Sequence, residues 1–179
     1  MRGVTGARIL QSPQWTPRNE HPAVNTQDSA LLSELIHKER LAHLGTLRDA
    51  APMVSMTLFT PESDFSAFYV HVSRLAWHTQ DMERDRRVAL SIAETDDGRP
   101  DPFTLMRVTI RGEATRIPDE DPLVPDLKVA WLSRFPEQAV TFELADFAFW
   151  RITPRDARFV AGFGRIHNLS AADLKKASA

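Results

Sequence analysis

The 179-residue chain contains no cysteine, which excludes a disulfide framework, a thiolate nucleophile, a zinc ribbon and a cysteine-ligated iron–sulfur cluster. Redox chemistry must therefore arrive with a cofactor. Charge of one sign is lacking too: 22 Lys plus Arg face 24 Asp plus Glu, a formal net charge of −2. Nothing in that balance points to nucleic acid or anionic lipid as a partner. No run approaches the roughly 20 apolar residues that span a bilayer. Residues 1–25, with Pro13, Pro17 and Pro22 among polar neighbours, lack the apolar segment of a signal peptide. These absences predict a cytoplasmic protein with small-molecule or protein partners, no membrane and no nucleic acid. Neither Gly-x-Ser-x-Gly nor His-Glu-x-x-His occurs, and His37, His43, His71, His78 and His167 are scattered, so there is no nucleophile elbow and no metal-binding motif.

What is present is a β-rich chain with a few amphipathic helices. Residues 1–25 have too little apolar surface to offset the entropy of ordering and are expected to form a flexible arm, or one anchored on a partner by Trp15. Residues 26–179 are expected to make one domain. Leu31, Leu32, Leu35 and Ile36 recur at helical spacing, which predicts a helix over 28–40. Residues 42–47 and 53–59 read as a hairpin about a turn at 48–52. Strands are expected at 67–72 and 88–92 with a helix between them, and at 107–116 with Gly112 as a bulge. A helix is expected over 122–134, starting at Asp121-Pro122. Residues 147–153 and 157–161 read as two strands about a turn at Pro154-Arg155-Asp156, followed by a capping box at Ser170-Ala171-Ala172-Asp173. Strands joined mostly by hairpins imply an antiparallel barrel.

Two segments bear on chemistry. Gly162-Phe163-Gly164-Arg165 begins like a dinucleotide fingerprint but has no third glycine and no βαβ unit around it. In His71-Val72-Ser73-Arg74-Leu75-Ala76-Trp77-His78-Thr79 a strand runs into a helix. Hydroxyls, a guanidinium, an imidazole and free helix N–H groups in one stretch are the donors an anionic phosphate requires. A purely structural role, with Ser73 capping the helix and Arg74 and His78 solvated, accounts for the same residues.

Taken in order, that segment, Arg107-Val108-Thr109-Ile110-Arg111-Gly112-Glu113-Ala114, Trp131-Leu132-Ser133-Arg134-Phe135-Pro136, Asp146-Phe147-Ala148-Phe149-Trp150-Arg151-Ile152 and Phe159-Val160-Ala161-Gly162-Phe163-Gly164-Arg165 resemble the pyridoxamine-phosphate-oxidase-like FMN-binding split barrels, most closely their haem-utilisation branch. The resemblance covers about 30–170. It implies a six-stranded antiparallel split β-barrel with flanking helices, working as a homodimer with FMN between subunits and acting as an oxidoreductase on a small-molecule substrate or electron donor. It further implies that Ser73, Arg74, His78 and Thr79, with Leu75 and Trp77, hold the phosphate end. The flavin would lie along Val54, Ser55, Met56 and Thr57, with Arg107 facing it and Arg165 closing over it. No catalytic residue is assigned. The true oxidases carry Arg and Lys where this chain has Ser55 and Thr60, and Ser-Arg-Lys where it has Ala76-Trp77-His78, which argues against vitamin B6 oxidation. The alternative is a haem-binding or haem-degrading protein using the same groove, with His167 or His78 as axial ligand. Phe147, Phe149, Trp150 and Phe163 are expected to supply surface for the dimer.

Overall fold

A computed structural model describes residues 24–178; the expected arm lies outside the described residues except for Val24 and Asn25. Asn25 caps the first helix, its side chain accepting from Asp28 N at 2.8 Å, so α1 (Thr26–Lys38) starts two residues earlier than the spacing implied. Leu32, Leu35 and Ile36 lie on one face of α1 and are buried. The hairpin follows as β1 (Leu41–Arg48) and β2 (Ala51–Leu58), paired in register from Leu41↔Leu58 to Arg48↔Ala51. That register leaves a two-residue turn, Asp49 and Ala50, with φ of 51° and 64°, the left-handed backbone that lets a tight hairpin follow the twist of its strands.

The rest of the chain adds β3 (Thr60–Pro61), β4 (Phe68–Ser73), α2 (Trp77–Arg84), β5 (Arg87–Ala93), β6 (Arg107–Arg116), α3 (Val124–Arg134), β7 (Phe147–Val160), β8 (Ile166–Ser170) and α4 (Ala171–Ala177). The fold is mainly β, an antiparallel curled sheet with flanking helices, as expected of a split barrel. The strand order is β2-β1-β5-β6-β7-β4-β3, with β8 on the second edge of β7, so the sheet has eight strands and not six. Two short strands, β3 and β8, account for the difference. The expected turn at Pro154 does not form, and residues 147–160 are one continuous 14-residue strand. Proline lacks the ladder N–H, yet Pro154 is tolerated here because its partner is Gly112, where the β6–β7 register shifts in a bulge. A Cβ on Gly112 would stand 2.2 Å from the Thr153 carbonyl oxygen, so the close approach requires glycine. On its other edge β7 pairs with β4 as far as Ile152 and with β8 from Asp156, so residues 153–155 are where it changes partner.

Leu44, Leu90, Ile110, Val70 and Phe159 fill the barrel, and α1 and α4 pack Leu35, Ile36 and Leu174 against the same core. A second cluster lies outside the barrel, where α3 lays Leu127 and Trp131 over Tyr69 and Phe149. The four aromatics expected to supply a dimer surface do not form one together. Phe149 and Trp150 are buried within the chain's own core, Phe147 is half-buried, and only Phe163, at 79 % exposure, projects outward.

Candidate functional site

The barrel is split between β2 and β4. Among the described residues neither strand pairs with the other; β2 bonds only to β1, and β3 turns across to join β4 through Thr60↔Tyr69 and Pro61↔Phe68. β2 still touches both β4 and α2, so the segments that carry the expected cofactor residues border one gap. Alternation along β2 puts Val54 and Met56 on the outer face, 63 % and 65 % exposed, while Ser55 is half-buried and Thr57 is buried with its hydroxyl donating to Leu58 O. Across the gap Leu75 and Trp77 project into solvent as well. Four large apolar side chains, two on β2 and two around the start of α2, are thus left exposed.

Ser73 is already engaged: its hydroxyl donates to Asp146 and accepts from Leu75 N at 3.0 Å. The helix that follows has a different deficiency. Ala76 is its N-cap and offers no side-chain acceptor, and the first intrahelical bond is Gln80 N to Ala76 O, so the N–H groups of Trp77, His78 and Thr79 find no acceptor among the described residues. Such an end attracts anions. Thr79 Oγ1 and His78 Nε2 are also buried without partners. Burial pushes the His78 imidazole pKa down, with Asp81 opposing. A cavity of about 270 Å³ lies behind this end, with Arg74, Thr79 and Arg116 on its wall together with the acids Glu83 and Asp146. Arg116 was not singled out in the sequence because it sits at the far end of β6, 37 residues beyond Thr79 by numbering.

What holds α2 in place is a buried ion pair. Asp81, 0 % exposed, accepts from Thr46 Oγ1 at 2.9 Å and meets Arg48 Nε at 2.9 Å. Arg48 also donates to Trp77 O at 3.0 Å and lays its guanidinium over the Trp77 ring, 4.5 Å from the centroid. A cation on an aromatic face and a charge-assisted hydrogen bond thereby fix Trp77 at the edge of the gap. Arg48 read as a turn residue and Asp81 as part of a polar helix; no local signal joins them, since the contact spans the hairpin and α2.

Two expected members of the site are elsewhere. Arg107 pairs with Val160 at the end of β7, whereas Ser73 pairs with Phe147 at its start. At about 3.3 Å per residue these points are on the order of 40 Å apart along the strand. Arg107 donates instead to the carbonyls of Phe103 and Leu105. Arg165 is turned inward onto buried Asp28, 2.7 Å away, and His167 Nε2 meets the other oxygen of the same carboxylate at 2.8 Å. These two side chains clamp β8 and the preceding loop to the start of α1, away from the gap of the same subunit.

Among the described residues no helix is long and apolar enough to cross a membrane, and no group of three or more His, Cys, Asp or Glu gathers as for a metal ion. The chain matches the family model "CREG, beta-barrel" over residues 25–176. It is 32% identical over 111 residues to the chloroplastic heme oxygenase HOZ of Arabidopsis thaliana, an alignment covering 62% of this chain and 32% of that protein. The chain thus spans about a third of that relative's length. It is 24% identical over 145 residues to the heme oxygenase HutZ of Vibrio cholerae, covering 80% of this chain and 81% of the relative. Among solved structures, a heme binding protein from Mycobacterium smegmatis superposes with a TM-score of 0.74 at 23% identity, over 86% of this chain and 62% of that one. The barrel, its split and the extent of these matches agree: the chain belongs to the CREG β-barrel family, with the split-barrel fold of the pyridoxamine-phosphate-oxidase type.

Proposed function

We propose that this protein binds haem in the gap between β2 and the β4–α2 segment, in a groove that a second copy of the chain completes, and that it serves haem breakdown. The observation that carries this reading is the set of four uncovered apolar side chains, Val54, Met56, Leu75 and Trp77, bordered by Arg48 and Arg74. Haem is an apolar disc with two carboxylates at one edge, and the gap offers an apolar surface with cations and free helix N–H groups beside it. Two relatives named as heme oxygenases support the same ligand class. Bound haem supplies an iron whose axial ligand and surroundings decide between storage, electron transfer and oxygen chemistry. The protein's own part is to orient the disc on Val54 and Met56, to hold its charged edge near Arg74, and to keep Trp77 in place through Arg48 and Asp81. A homodimer follows from the same exposure, because an open groove of this kind leaves the apolar patch in water.

FMN is the second reading, and a different observation favours it. The cavity of about 270 Å³ with Arg74, Arg116 and the unpartnered Thr79 hydroxyl suits a phosphate dianion at a helix N-terminus, although Glu83 and Asp146 on the same wall oppose one. An absorbance spectrum of the purified protein, before and after adding hemin or FMN, separates the two. A saturable Soret band supports haem; flavin bands retained through gel filtration, with no Soret band on adding hemin, support FMN and overturn the haem reading.

A further inference from the structure

We infer that His43 is the imidazole this chain offers to haem iron, a ligand position distinct from His78 and His167; the inference rests on the haem reading above. His43 lies on the outer face of β1, directly across the ladder from Met56, and opposed residues on one face stand about 4.5–5.5 Å apart at their Cβ atoms. It is exposed, and it makes no hydrogen bond, ion pair or ring contact among the described residues.

The other described histidines are committed. His37 meets Ser33 O at 2.8 Å and packs on Phe65. His71 is enclosed by Phe142, Phe147, Phe149 and Trp131, with Phe142 stacked at 4.2 Å. His78 Nε2 and His167 Nδ1 are buried, and His167 Nε2 is occupied by Asp28. An iron held in a planar ring cannot approach the buried nitrogens of His78 and His167, or His71 among its rings, without unpacking the side chain, and His37, though exposed, sits on α1 with Nδ1 held by Ser33 O. The iron can approach His43 across open surface.

The surroundings of His43 suit the ligand. On the same face the neighbouring positions are Leu41, Gly45, Val54, Met56 and Leu58, and on the far side His43 pairs with Ser91 and Gly45 with Ala89. Apart from Ser91 the strip is apolar, so a flat ring can lie against it. A concavity of about 350 Å³ takes in Gly45, Val54 and Ala89. A larger groove of about 990 Å³ takes in His43, Leu41 and Leu58, with Lys38 and Arg40 at its rim. Of the five acids lining the larger groove, Glu94 and Asp97 are held by Arg99 and Glu137 by Arg40, while Glu39 and Asp96 have no cation partner among the described residues, so Lys38 is the rim cation left for a carboxylate.

The test is a hemin titration of wild type, His43→Ala and His167→Ala, followed by absorbance and by resonance Raman of the ferrous protein. Far-ultraviolet circular dichroism checks folding. His43→Ala is expected to fold, to lose the iron–histidine stretch, and to bind hemin at least about tenfold more weakly, with exogenous imidazole restoring a histidine-type spectrum. His167→Ala is expected to keep the stretch. If wild type shows the stretch and His43→Ala retains it, the inference is overturned while the haem reading stands. If wild type forms no saturable Soret band, both fall. A histidine signal lost only in His167→Ala would also overturn the assignment to His43.

Discussion

Replacing Asp81 by alanine tests the claim that a buried ion pair positions the gap. The carboxylate is fully buried, receives the Thr46 hydroxyl at 2.9 Å and meets Arg48 at 2.9 Å. Removing one member of a buried pair costs about 3–5 kcal/mol, because the remaining charge keeps its desolvation penalty. The Arg48 side chain is 23% exposed, so part of its guanidinium can turn to water, which places the expected cost near about 3 kcal/mol. For a domain of this size that lowers the melting temperature by roughly 6–12 °C. Thr46→Val removes a single bond to a charged group and should cost about 1.5–3 kcal/mol. Arg48→Ala leaves Asp81 buried with only Thr46, and the Asp81/Arg48 double variant should fall short of the sum of the single ones by about 1–3 kcal/mol. Urea unfolding followed by circular dichroism measures these terms, and the emission of Trp77, on which Arg48 lies, reports the local change. An Asp81→Ala variant within about 0.5 kcal/mol of wild type, or no coupling to Arg48, would refute the reasoning.

Stability should fall between pH 6.5 and about 4 through His71. Burial, with Lys128 adding, lowers its pKa from 6.5 to about 4. The unfolded state binds the proton first in that window, so the contribution is present above 6.5 and lost as pH falls. His71→Phe, which keeps a ring in the aromatic enclosure, should flatten this part of the profile; an unchanged slope in pH-dependent urea unfolding would contradict it. Ala50, held at φ 64° in the β1–β2 turn, should be stabilised by replacement with glycine by about 1 kcal/mol, read as a shift in the urea midpoint. Gly112→Ala should cost at least about 2 kcal/mol, since its Cβ would collide with Thr153 O. Wild-type stability in that variant would disprove the bulge as described.

The elements that depend on neighbours in sequence were the legible ones. The β1–β2 hairpin, the Gly112 bulge and the Ser170–Asp173 capping box all follow from alternation, turn chemistry or side chains three residues apart, and each is present. Pro154 was misread because proline's local preference for turns is overridden by a partner strand whose bulge needs no N–H at that point. The site divided along the same line. The stretch from Ser73 to Thr79 announces itself by composition, and the structure sets α2 and β4 in contact with β2. Arg165, in a glycine-flanked loop that reads as a lid, is drawn back onto Asp28, 137 residues away in sequence. The Arg48–Asp81 pair and the exposure of His43 are likewise products of tertiary packing, which no local pattern encodes.

The haem reading is tested most directly by titrating hemin into the wild-type protein and into Met56→Glu, which places a charge under the apolar disc and breaks the apolar strip without touching the core. Wild type should give a saturable Soret band at one haem per chain, and the glutamate variant should bind at least about tenfold more weakly while folding normally. A wild-type chain that forms no saturable band, or a Met56→Glu variant that binds as tightly as wild type, would contradict haem binding at this gap.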